Sequence, residues 1–69
     1  MNNINYISIL MVSDHRKYIN KSALLLESNT IKAVYIIKTT QHNAIVRHVD
    51  GALQKVTWNK LYHEKNSSN

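Results

Sequence analysis

Thr30–Tyr62 reads TIKAVYIIKTTQHNAIVRHVDGALQKVTWNKLY, and the pairing within this stretch decides the fold. Three consecutive antiparallel strands are expected there. Asp50-Gly51 is the strongest local signal, because a two-residue type I′ turn needs positive φ at both central positions and Asp-Gly supplies it. The flanking runs AIVRHV and ALQKVTW are rich in β-branched and aromatic residues and complete a hairpin. Centring the turn on Asp50-Gly51 pairs Val49 with Ala52, and so sets Ile45 opposite Val56 and Val46 opposite Lys55. One face then carries Ile45, Arg47, Val49, Ala52, Gln54 and Val56, the other Ala44, Val46, His48, Leu53, Lys55 and Thr57. Neither face is cleanly apolar, which suits a curled sheet whose inside changes along the strand.

Upstream, Ser22–Glu27 reads SALLLE, a short apolar run that fits a buried strand, and Ser28-Asn29 makes a tight reversal into IKAVYIIKT. Downstream, Trp58-Asn59-Lys60 has room for a single helical turn that redirects the chain into a short last strand. Strands are therefore expected over 22–27, 31–39, 43–49, 52–58 and 61–64. The alternative is a true helix over 20–28 ahead of a three-stranded sheet, which would lay the sheet face on DNA. The first apolar run, Ile4 to Val12, is too short to cross a membrane and lacks the basic start and small-residue cleavage site of a secretory signal. Its β-branched residues favour a strand, while the cations that follow it would suit the end of a short helix. A helix is the preferred expectation here.

The chain has 69 residues, expected to form one domain over 1–65 with a frayed polar tail at 66–69. A domain this small buries only about 60% of the surface its unfolded chain exposes. Disulfides, metals or oligomerisation commonly reinforce such cores, and there is no cysteine. Oligomerisation is left as the expected reinforcement, and a cysteine-free chain is compatible with the reducing cytoplasm, its expected location. Nine Lys and Arg against four Asp and Glu give a formal charge of +5, a field that attracts nucleic acid or an acidic partner surface. Asp14 to Lys21, DHRKYINK, concentrates Arg16, Lys17 and Lys21 beside Tyr18. Such a rim can hold phosphates and stack a base, and equally can be a solvated connector.

A helix followed by five short, bent antiparallel strands is the order of a small Sm/SH3-like barrel. The chain resembles the Sm-like RNA-binding proteins, most nearly the bacterial Hfq type. The residues that carry the likeness are the reversal ALLLESNTIKAV, the IVRHVDG segment, WNKLY, and the HRK that stands where the Hfq type has a cationic rim. It has Ala33 where that family has a glycine, and Asn59-Lys60 where the Hfq type has a Lys-His pair. The resemblance implies a ring of subunits joined edge to edge, with Trp58, Asn59 and Lys60 near a central pore and Arg16 and Lys17 on an outer rim. Lys60 would meet phosphate, and Trp58 would either stack a base or fill the barrel. A related member of the same fold family inhibits transcription termination factor Rho, so the barrel also serves protein partners.

An enzyme is not expected. The histidines at 15, 42, 48 and 63 have neither close helical spacing nor a cysteine companion, so no metal site is expected. No nucleophile stands beside an acid–base pair, and the one glycine excludes a glycine-rich phosphate loop, so no cofactor is expected. Two functional classes remain. The first is a regulatory nucleic-acid-binding module, RNA favoured over DNA, using Arg16, Lys17, Arg47, Lys55, Asn59 and Lys60 with stacking from Tyr18 or Trp58. The second is a small interaction or inhibitor protein that engages a partner through a strand edge and a basic face.

Overall fold

The computed structural model describes residues 4–66. Six strands form one antiparallel sheet: β1 (Ile4–Ser8), β2 (Lys21–Glu27), β3 (Thr30–Thr39), β4 (Asn43–His48), β5 (Leu53–Thr57) and β6 (Leu61–Asn66), in the spatial order β1-β6-β2-β3-β4-β5. Short 3-10 turns at Ile9–Met11, His15–Tyr18 and Trp58–Lys60 are the helical content of the described residues. The expectation of a mainly β chain holds, and β2 to β6 lie close to the expected strands. The redirecting turn is at Trp58–Lys60, after which β6 returns to pair with β2.

Several expectations are corrected. The N-terminal helix is absent: β1 pairs along β6 from Ile4↔Asn66 to Ser8↔Tyr62, which makes six strands rather than five. The β-branched Ile7 prefers this extended backbone, and the free edge of β6 offers the segment hydrogen bonds that an isolated two-turn helix would lack. The same pairing carries β6 through Asn66, beyond the expected end at 64 and into the segment expected to fray; residues 67–69 of that tail lie outside the described residues. The alternative helix over 20–28 is also excluded, since β2 occupies Lys21–Glu27.

A further correction concerns the β4–β5 register. Gly51 N–H donates to the His48 carbonyl at 2.9 Å and His48 N–H to the Ala52 carbonyl at 2.8 Å. In this hairpin only Gly51 has positive φ, at 93°. Val49-Asp50-Gly51 is thus a three-residue loop, a type I turn closed by a glycine bulge, rather than a type I′ turn. Asp50 supports it by accepting the Ala52 N–H at 2.9 Å. The type I′ geometry lies instead at Ser28-Asn29, where φ is 52° and 61° and Glu27 pairs with Thr30.

Moving the hairpin by one residue sets Ala44 opposite Val56, Ile45 opposite Lys55 and Val46 opposite Gln54. A one-residue slip changes which side chains share a face. Ala44, Val46 and Val56 now lie on one buried face, so the mixed faces expected from the sequence resolve into an inside and an outside. With Ile9, Ala23, Leu25, Val34, Ile36, Trp58 and Leu61 they make a single core. Among the described residues no helical layer covers this face, so the sheet must curve over its own inner side to exclude water from it. Side chains span that curve: Gln54 on β5 reaches Glu27 at the end of β2. Among the described residues no backbone ladder joins β5 to β1, and the sheet is open at those two edges.

Candidate nucleic-acid interface

The outer face of β3, β4 and β5 brings together three cations that have no ion pair among the described residues. Arg47 lies between Tyr35 on β3 and Leu53 on β5, and Ile45, one row away, lies between Lys38 and Lys55. Side chains directly across neighbouring strands stand about 5 Å apart, so these two rows make one continuous surface. Tyr35 is 52% exposed and Leu53 62%, and all three cations are exposed. Among the described residues the ion pairs are Arg16 with Asp14 and Lys60 with Glu27, so Lys38, Arg47 and Lys55 remain uncompensated.

Lys38 owes its place to a backbone irregularity. Ile36 pairs with Val46 but Lys38 pairs with Ile45, so β3 holds one extra residue, Ile37, at a bulge. In an unbroken strand Lys38 would follow Val34 and Ile36 onto the buried face. The bulge turns it outward, beside Arg47 and Lys55. This residue was missed at the sequence level, because alternation along IKAVYIIKT assigns it to the inside; the doubled Ile36-Ile37 is the one local hint of a phase change. Tyr35 was missed as well, although the same alternation marks it as outward.

Next to Arg47 the surface dips into a depression of about 610 Å³. It is lined by the small residues Ser22 and Ala33, by Tyr35 and Arg47, and by the turn Val49–Gly51. Asp50 lies on this rim without an ion pair to Arg47.

The other expected site residues are dispersed. Arg16 and Lys17 sit on the 3-10 turn at His15–Tyr18, and the Arg16 Nε–H donates to Asp14 Oδ1 at 3.1 Å. That bond holds the Asp14 carboxyl below its ordinary range. Tyr18 is half-buried against the core, 5.8 Å from the His63 ring. Trp58 is 2% exposed; its indole N–H donates to the Thr40 carbonyl at 3.0 Å, and His15 covers it in a parallel stack at 3.9 Å. Of the two roles expected for Trp58, the structure places it in the core, where it presents no open face to a base. Asn59 is exposed and accepts a hydrogen bond from the Thr57 hydroxyl. Lys60 lies 3.6 Å from Glu27, which partly neutralises it. Only Arg47 and Lys55 of the expected set come together on one face.

A second surface is apolar. Tyr6, Leu24, Leu26, Ile31 and Tyr62 line a shallow groove of about 210 Å³ on the outer side of the other half of the sheet. Among the described residues no helix is long and apolar enough to cross a membrane. No protein-family model, no curated protein and no solved structure matches the chain.

Proposed function

We propose that this chain is a small regulatory nucleic-acid-binding protein that prefers single-stranded RNA and grips it on the outer face of β3–β5. One observation carries the reading: the bulge at Ile37 gathers Lys38 with Arg47 and Lys55 around exposed Tyr35, with no acidic side chain among the described residues paired to any of the three. Cations on a curved sheet track phosphates, and an exposed aromatic among them gives a base a face to stack on. An accessible single strand can use both, whereas a duplex hides its base faces. The run of consecutive antiparallel strands, with a helical turn at Trp58–Lys60 returning β6 to β2, supports an Sm-like curled sheet with β1 in place of the helix. The open edges at β1 and β5 support edge-to-edge assembly of copies.

The test is fluorescence anisotropy with a short uridine oligonucleotide across a salt series. Affinity should fall linearly on logarithmic axes with a slope of about −0.7 per phosphate contact, and Lys38→Ala, Arg47→Ala and Lys55→Ala should each shallow that slope. No binding at low salt, or a slope indifferent to all three, would remove the reading.

The apolar groove at Tyr6, Leu24, Leu26, Ile31 and Tyr62 favours a second reading, a protein-interaction module. In that case substitutions in the groove, such as Ile31→Ser, would abolish partner binding while the basic face stayed indifferent to RNA.

A further inference from the structure

We infer that the depression beside Arg47 is a base pocket selective for guanine, with the Asp50 carboxylate as its reading group. This rests on the nucleic-acid reading of the same face and adds which base is recognised. Arg47 and Asp50 line one depression yet form no ion pair with each other. Their separation divides the surface by charge. The phosphates follow Lys38, Arg47 and Lys55, and the Asp50 carboxylate repels them, so the part of a nucleotide brought to Asp50 in the depression is its base.

The shape agrees with that division. Ser22 and Ala33 contribute only small side chains to a lining shared with Tyr35 and the turn at Val49–Gly51, and about 610 Å³ is ample for a purine. Tyr35, half-exposed at the edge, offers its ring for stacking.

The chemistry selects the base. Asp50 Oδ1 accepts the Ala52 N–H at 2.9 Å, and Oδ2 has no hydrogen bond among the described residues. An ionised carboxylate only accepts, so it favours an edge of adjacent donors. Guanine presents N1–H and the N2 amino group side by side. Adenine and cytosine each set a donor beside an acceptor, and uracil sets one N–H between two carbonyls. Each of those three would aim at least one lone pair at the carboxylate.

The experiment compares uridine hexamers carrying one central guanosine, inosine, adenosine or cytidine with the all-uridine hexamer, against the wild-type chain and Asp50→Asn. Asparagine keeps an oxygen acceptor for the Ala52 N–H and therefore the turn. Guanosine should tighten binding about tenfold over uridine, a gain typical of one bidentate base contact. Inosine, which lacks only the N2 amino group, should lose most of the gain, and Asp50→Asn should level guanosine with uridine. The inosine comparison needs no protein variant and so stands even if Asp50→Asn folds poorly. Equal binding of all five oligonucleotides, or a guanosine preference that survives Asp50→Asn, overturns the guanine pocket and leaves the general RNA reading intact. Failure of every oligonucleotide to bind overturns both.

Discussion

The Gln54 side-chain amide donates to both carboxylate oxygens of Glu27, at 3.2 and 3.1 Å, although β3 and β4 lie between their strands in the sheet order. The contact bridges the curve of the sheet from its β5 edge to the end of β2. It also orients its neighbours. Because Glu27 accepts from the Gln54 amide nitrogen, the Gln54 oxygen faces His48, whose Nε2–H donates to it at 2.7 Å. Lys60, 3.6 Å from Glu27, completes the cluster.

This cluster makes part of the stability acid-labile. The Gln54 hydrogen bond is the largest cause holding the Glu27 carboxyl below its ordinary value of 4.5; partial desolvation opposes it, and the charges of Lys60 and Lys32 assist. A carboxyl with a lowered folded-state pKa contributes stability above its unfolded value, and that contribution is lost as pH falls through the folded value. Stability measured by urea denaturation should therefore decline from about pH 4.5 downward. Glu27→Gln should be less stable at neutral pH and show a shallower acid limb, the remainder coming from Asp14, which Arg16 also lowers. An identical acid limb in both proteins would exclude Glu27 as its source.

Trp58 is a core residue by position, so its fluorescence is a test of that role. Trp58→Phe removes the bond to the Thr40 carbonyl and part of the packing under His15. It should cost about 2 kcal/mol in chemical denaturation followed by circular dichroism. In the wild-type chain, acrylamide should quench the indole weakly, and saturating oligonucleotide should leave its emission nearly unchanged. Strong quenching on RNA binding would mean that the base stacks on Trp58 after all.

The β4–β5 turn separates two residues that look alike in sequence. Gly51 has φ of 93° with open space where a Cβ would go, so Gly51→Ala is strained by its backbone alone, by about 1–2 kcal/mol. Asp50 has no positive φ, and Asp50→Asn should change stability by less than about 0.5 kcal/mol. Thermal melts of the two variants check this, and an unchanged melt for Gly51→Ala would overturn the strained glycine bulge.

The two basic regions should differ in their response to RNA. Arg16 is ion-paired to Asp14 on the His15–Tyr18 turn, whereas Lys38, Arg47 and Lys55 have no ion pair among the described residues and share one face with Tyr35. The double substitution Arg16→Ala, Lys17→Ala should change the salt slope of binding less than Lys38→Ala alone. The reverse order, read from the same anisotropy titrations, would move the interface to the His15–Tyr18 turn.

Sequence by itself determined the strand-rich character of the chain, the reversal at Ser28-Asn29, the redirecting turn at Trp58–Lys60 and the excess of positive charge. These are local matters of side-chain branching, turn chemistry and composition. Tertiary structure decided the rest. Asp-Gly is compatible with more than one hairpin loop, and the choice fell to the loop that buries Ala44, Val46 and Val56 together. The first segment became a strand because β6 supplied a distant edge to pair with. Lys38 joined Arg47 and Lys55 through a bulge that keeps both Ile36 buried and the lysine charge in water. In each case a contact between residues far apart in the chain outweighed a weak local preference, because burying an apolar face is worth more than the difference between two turns or two backbone conformations.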